Sequence, residues 1–314
     1  MKKILITGGL GNLGSWLTRY FCEQQWDVTV LGATYRDILP DYNYNFIACD
    51  ITNLENCKKA LKGQLFDYVI HTASYNDTFM PNYALKSLEI NALGTRNILD
   101  TLEKTNLKNF IYLSTFHVYG KTTGKITENT PVAPVHDYAT THLFGELYVE
   151  QFFRNTNLNL PYTIIRLTNS YGCPIEKASS KWYLVLNDLA KMAATNQVIE
   201  LKSNGKPQRD FIWMGDVCSV LENICLLDNA PNGIFNLSSE MNFSMLEIAE
   251  KVQNAYFEVY NKKIEIRLNE LDKNDYQQNV FVSSEKLKEI IDFKAIDKIK
   301  EEAKKIFEKL ANSQ

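Results

Sequence analysis

Long apolar runs are missing from this chain of 314 residues. No stretch approaches the roughly 20 residues that cross a bilayer. The first apolar run is cut by Gly8 and Gly9 before it reaches the length of a secretory core segment. No membrane partner is expected, and a cytoplasmic location is. Excess charge of either sign is missing too. The formal net charge is -3, so no basic field holds nucleic acid, and any phosphate site has to be local. The six cysteines, Cys22, Cys49, Cys57, Cys173, Cys218 and Cys225, form no C-x-x-C pair and have no close histidine companion. They suggest neither a metal site nor a disulfide framework, and read as reduced, mostly buried thiols. Repeats, low-complexity tracts and linkers are also lacking, which favours two interwoven lobes over two independent domains.

What is present is an ordinary globular composition, 45% hydrophobic and 23% charged, long enough for one large α/β unit with a smaller lobe. Strand and helix periodicities alternate through the first half. Strands are expected at 3–7, 28–31, 46–49, 68–71, 110–114 and 162–166, and helices at 12–25, 54–62, 83–104 and 137–156. Strands joined by crossover helices imply a doubly wound parallel sheet covered on both faces, with ligands beyond the carboxyl ends of its strands. From about 172 the pattern loosens into helices at 182–196, 215–228 and 245–260, short β runs at 198–201, 211–213 and 263–267, and a charged terminal helix from about 295. The expected division is therefore a dinucleotide-binding domain over 1–172 and a smaller substrate-binding lobe over 173–314, with elements at about 198–240 returning to the sheet.

The glycines say why a dinucleotide is expected. Residues 3–7 form a short apolar β run that leads into Gly8, Gly11 and Gly14 and opens a helix. Such a turn aims backbone N–H groups at a pyrophosphate on a helix N-terminus. Gly8 allows the sharp turn, Gly11 the approach of the phosphate, and Gly14 the contact of helix on strand. Further on, Ser114-Thr115-Phe116-His117-Val118-Tyr119-Gly120 closes a strand, and Tyr138 and His142 stand four apart, on one face of a helix.

Taken in order, the opening glycines, Asp50-Ile51, His71-Thr-Ala-Ser74, Asn91-Ala-Leu-Gly-Thr95, Ser114-Thr115, Tyr138, Arg166-Leu-Thr-Asn169, Arg209-Asp-Phe-Ile212, Asp216 and Asn236 make the chain resemble the extended short-chain dehydrogenase/reductases. Within them it is similar to the NAD-dependent epimerase/dehydratase family that acts on nucleotide sugars, a family with a Rossmann-type fold. The resemblance implies that Tyr138 takes a proton from a sugar hydroxyl while hydride passes to NAD, and that Thr115 orients that hydroxyl. It also implies cofactor contacts at Gly8, Gly11, Asn12, Leu13, Gly14, Thr34, Tyr35, Arg36, Asp50, Ile51, Thr72, Ala73, Ser74, Asn91 and Thr168, besides Tyr138 and His142. Asn169 and Arg209 would meet the substrate, Arg209 through its diphosphate. A homodimer built on the helices at 83–104 and 137–156 is expected by analogy.

Three departures matter. The family places a lysine four residues after the tyrosine, and here the position holds His142, shorter and near pKa 6.5. A working oxidoreductase, a site repaired by Lys181 or Lys121, and a dinucleotide sensor or scaffold without catalysis all stay open. Next, Thr34-Tyr35-Arg36 offers no carboxylate for the adenosine ribose before Asp37. NAD is expected, yet Arg36 could pair with the extra phosphate of NADP. Finally, the family's 4,6-dehydratases carry an Asp-Glu pair after the Thr, where this chain has Phe116 and His117, so elimination is disfavoured. His117 is left as a lone acid or base or a loop residue, and Cys173 as a small residue near the site. The expected reaction is oxidation at C4 of a nucleotide sugar, with a GDP-heptose of bacterial surface polysaccharide as the first candidate and 4-epimerisation as the alternative.

Overall fold

The computed structural model of the chain describes residues 1–77, 80, 82–102, 106–121, 123–155, 160–276 and 280–311. The chain opens with β1 (Lys3–Thr7), α1 (Asn12–Glu23), β2 (Asp27–Gly32), β3 (Asn45–Ala48), α2 (Leu54–Leu61) and β4 (Tyr68–His71). A helical run follows in three parts, α3 (Tyr83–Ser87), π-helical turns over Leu88–Gly94, and α4 (Thr95–Thr101). Then come β5 (Asn109–Thr115), β6 (Gly124–Ile126), α5 (Asp137–Asn155), β7 (Tyr162–Leu167) and β8 (Asn169–Tyr171). The second half holds α6 (Val185–Asn196), β9 (Val198–Glu200), β10 (Gln208–Trp213), α7 (Met214–Leu226), β11 (Gly233–Leu237), β12 (Asn242–Ser244) and α8 (Met245–Tyr260). It ends with β13 (Glu265–Arg267), β14 (Val280–Val282), α9 (Glu285–Lys288) and α10 (Ile299–Ala311).

Seven of these strands make one parallel sheet in the order β3-β2-β1-β4-β5-β7-β11. The two-residue period of β1 explains its layers. Ile4 and Ile6 point to a core shared with α1 and α7, while Leu5 points to a core shared with α2, α4 and α5. A third core joins α6, α8 and α10 in the smaller lobe. Among the described residues no helix is long and apolar enough to cross a membrane.

Several expectations need correction. Of the segments at about 198–240, only β11 joins the large sheet, against β7. β9 pairs with β13, and β10 lies between β8 and β12 in a separate three-stranded sheet. The helix expected over 83–104 is not regular, because Leu88–Gly94 winds wider and carries Asn91 inward. The ends of that helix at 103–104 and of the next at 156 lie outside the described residues. The helix expected from 182 begins at Val185, after a 3₁₀ turn over Ser180–Tyr183 and an extended Leu184.

Candidate active site

The carboxyl ends of β1, β2, β4, β5 and β7 open on a cavity of about 1040 Å³. At one end sits the glycine turn. Gly8 has φ +67, and a Cβ there would lie 2.8 Å from the Ala73 Cα, while a Cβ on Gly14 would lie 2.1 Å from the Gly8 carbonyl oxygen. Neither position has room for a side chain, so α1 starts hard against the strand ends. Its N-cap, Gly11, supplies no side chain to bond the first amides, which leaves those donors for an anion. Asn12 and Leu13 line the same wall.

Thr34, Arg36, Asp50 and Ile51 line the far end of the cavity, and Thr72, Ala73 and Ser74 its middle. Tyr35 does not face it: the ring is turned edge-on to Phe46, 5.2 Å between centroids, and is 53% exposed. The Arg36 guanidinium is engaged by the Glu176 carboxylate and the Leu10 carbonyl. Asn91 lies behind the wall. Its amide accepts from the Tyr75 N–H at 2.6 Å and donates to the Tyr75 carbonyl and to Thr141 Oγ1, steadying the loop that follows β4.

The opposite end holds Thr115, Tyr138, His142, Thr168 and Asn169. Tyr138 and His142 share a face of α5, with ring centroids 4.5 Å apart. Burial pushes the Tyr138 phenol up to about 12, and only the Thr115 hydroxyl beside it pulls the other way. His142 is neutral: burial, with His71 and His117 nearby, pushes it down to about 3. Its Nδ1 lies 3.3 Å from the Tyr112 hydroxyl, and its Nε2 is buried with no partner. One turn further along α5, Glu146 accepts from Arg166 Nη2 at 2.7 Å and from the Ser114 hydroxyl, fastening the helix to β7 and β5.

A second cavity, of about 600 Å³, adjoins the first and carries Arg209 on its wall. Arg209 thus does not line the first cavity. Asn169 borders both cavities and donates to the Asp210 carbonyl at 2.9 Å; Thr168 donates to Asp210 Oδ1 at 2.5 Å. Lys181 lines the first cavity, but its ammonium is held by Asp77 and Asn76. Lys121 lines only the second. Cys173 is buried and faces neither cavity, its thiol pushed up to about 11 by burial. Tyr83, His136 and Glu176 join the site without having been anticipated. His136 stands two residues before Tyr138, and no spacing rule singles it out.

Comparison with known proteins agrees with this arrangement. Residues 4–238 match the NAD dependent epimerase/dehydratase family. The chain is 26% identical over 281 residues to a dTDP-D-glucose 4,6-dehydratase of Dictyostelium discoideum, covering 81% of this chain but only 62% of that protein. It is 28% identical over 265 residues to a putative UDP-glucose 4-epimerase of Methanocaldococcus jannaschii, covering 80% of this chain and 81% of that one. The UDP-glucuronic acid 4-epimerase of Bacillus cereus, solved with UDP-glucuronic acid and NAD, has the same fold over the full length of both chains, with a TM-score of 0.80 and 20% identity. With three quarters of its length matched and Tyr138, Thr115 and the glycine turn lining one cavity, the chain belongs to the NAD-dependent epimerase/dehydratase family of enzymes.

Proposed function

We propose that this enzyme oxidises the C4 hydroxyl of a nucleotide-activated sugar, and that the ketone is then reduced from the other face to give the C4 epimer. The observation that carries this is the placing of Tyr138 and Thr115 together at the end of the long cavity where it meets the second one. The residues fit NAD. The side-chain-free cradle at Gly8 and Gly14 suits a pyrophosphate, and the buried, unpartnered His142 Nε2 leaves a hydrogen-bonding atom for a ribose. NAD, when bound, accepts the hydride from C4 and in its oxidised form carries a positive ring charge.

Thr115 orients the sugar hydroxyl, and the Tyr138 phenolate takes its proton. A phenol held near 12 by burial is a poor donor of its own proton, and the neutral His142 supplies no charge to correct that. Deprotonation of Tyr138 therefore depends on positive charge arriving with the ligands. Arg209 offers a guanidinium to the diphosphate. The relatives include both 4,6-dehydratases and 4-epimerases; Phe116 and His117 supply no carboxylate pair for eliminating water, which supports the epimerase. The same residues would serve a dehydrogenase that releases the ketone, with GDP-heptose among its candidate substrates.

The test is to incubate the enzyme with NAD and UDP-glucose, UDP-glucuronic acid, GDP-mannose or a GDP-heptose and read the products by NMR. An epimerase gives a C4-inverted sugar with no lasting reduced cofactor. A keto or hydrate signal with stoichiometric reduced cofactor would replace that reading with the dehydrogenase, and a Tyr138→Phe protein as active as the wild type would end both.

We further propose that two copies pair through the outer faces of α5 and of the run from Tyr83 to Gly94. Phe144, Leu147 and Tyr148 recur at helical spacing on α5, and Leu85, Leu88 and Leu93 lie on that neighbouring run, all of them large and exposed.

A further inference from the structure

Four residues border both cavities: His117, Val135, Asn169 and Tyr183. Of these, only His117 has a side chain that ordinarily exchanges protons near neutral pH. The ring is fixed in place. Its backbone N–H donates to Thr115 Oγ1 at 3.2 Å, at the start of the 3₁₀ turn over Phe116–Tyr119. Its face packs on Phe116 at 4.3 Å, and it meets the Tyr138 ring edge-on at 6.3 Å and the His136 ring at 5.3 Å. Among the described residues its ring nitrogens make no hydrogen bond, so they are free to face what fills the junction.

Burial, with the neighbouring His136 and the Arg209 charge, holds this imidazole neutral, its pKa pushed down to about 4. Its nitrogen lone pair, at the junction of the two cavities, is thus unprotonated and unspent. Oxidation at C4 changes what such a base can do, because the hydrogens on the two carbons beside a ketone become acidic. A base of about this strength suffices for such a hydrogen when the developing oxyanion is stabilised, and here the Tyr138 phenol, which has just gained the hydroxyl proton, faces that oxygen.

We infer that His117 is a second acid–base group of this enzyme, which removes and returns a hydrogen on a carbon next to C4 of a 4-keto nucleotide sugar. The imidazole takes the proton, the C–H electrons move to the C4 oxygen as an enolate, and the same nitrogen gives the proton back. Nothing is lost or consumed. With Phe116 beside it there is no acid to help a hydroxyl leave, so the outcome is exchange and not elimination. The inference rests on the proposed function only for the sugar whose ketone it acts on.

The experiment supplies that ketone directly. Pre-formed UDP-linked and GDP-linked 4-keto sugars are incubated with the NAD-loaded enzyme in deuterium oxide, and loss of the proton signals flanking C4 is followed by NMR against a buffer control. The wild type should speed exchange by about a hundredfold or more. His117→Gln should bring it back to the buffer rate, and His117→Glu, which restores a base, should recover part of it; NAD binding by each variant checks that it is folded. No exchange above buffer in the wild type, or undiminished exchange in His117→Gln, overturns the inference. Oxidation of the parent alcohols is read separately from reduced-cofactor absorbance, so failure of the C4 reading and failure of this one give different results.

Discussion

On the proposed function, Tyr138 and His142 together set the pH at which this site works. If Tyr138 is the proposed base, the rate should climb with pH through the phenol's pKa, which burial raises and the neutral imidazole does not lower. A His142→Lys variant places a cation beside the phenol. Its kcat/KM profile should rise about one pH unit or more nearer to acid than that of the wild type; an unmoved profile would mean that residue 142 does not reach the phenol electrostatically. Arg36 carries a second residue-scale prediction. Its guanidinium is already engaged by Glu176, in a pair that is partly exposed and so worth about 1 kcal/mol or less. The 2′-phosphate of NADP would have to displace that carboxylate. Glu176→Gln should therefore shift the ratio of NADP to NAD affinity toward NADP by up to about fivefold in a titration of cofactor fluorescence, and no shift would remove Arg36 from cofactor choice.

At the scale of elements, α5 carries Tyr138 and His142 to the cavity. Tyr138, His142 and Glu146 follow at intervals of four along one face, and the Glu146–Arg166 pair, with both side chains almost fully buried, fixes that face to the sheet. Removing one partner strands the other charge, so Glu146→Ala should lower stability to urea by about 3–5 kcal/mol; a change below about 1 kcal/mol would mean that α5 is held by packing alone. The strands of the first half were legible in the sequence because apolar runs alternating with amphipathic helices leave a local signature. The strands β6, β8, β12 and β14 were not. Each has three residues and exists only because a distant partner lies alongside. The wide turns at Leu88–Gly94 were equally hidden, since they depend on the bonds that Asn91 makes to Tyr75 and Thr141. Glycine, threonine and tyrosine positions of the site could be read from ordered motifs. The Arg36–Glu176 contact could not, because it joins residues 140 apart in the chain.

For the molecule as a whole, the lobes are tied at the sheet. β11 pairs with β7 after the chain has already built α6 and β10, and α7 packs on α1. The first 172 residues therefore lack an edge strand and a covering helix of their own sheet. Assembly is a question for the opposite surface, where Leu147, 50% exposed, sits at the middle of the apolar face of α5. Leu147→Asp should turn a dimer into a monomer in light scattering, and a wild type that is already monomeric at micromolar concentration would discard the pairing. The distribution of histidine has a different consequence. The chain has four. His117, His136 and His142 border the long cavity, and His71 stacks on Tyr112, which in turn meets His142. Three of the four imidazoles thus report from this pocket in a proton spectrum and the fourth from the layer behind it, so that ligand entry can be watched in the intact protein through a reporter it already carries.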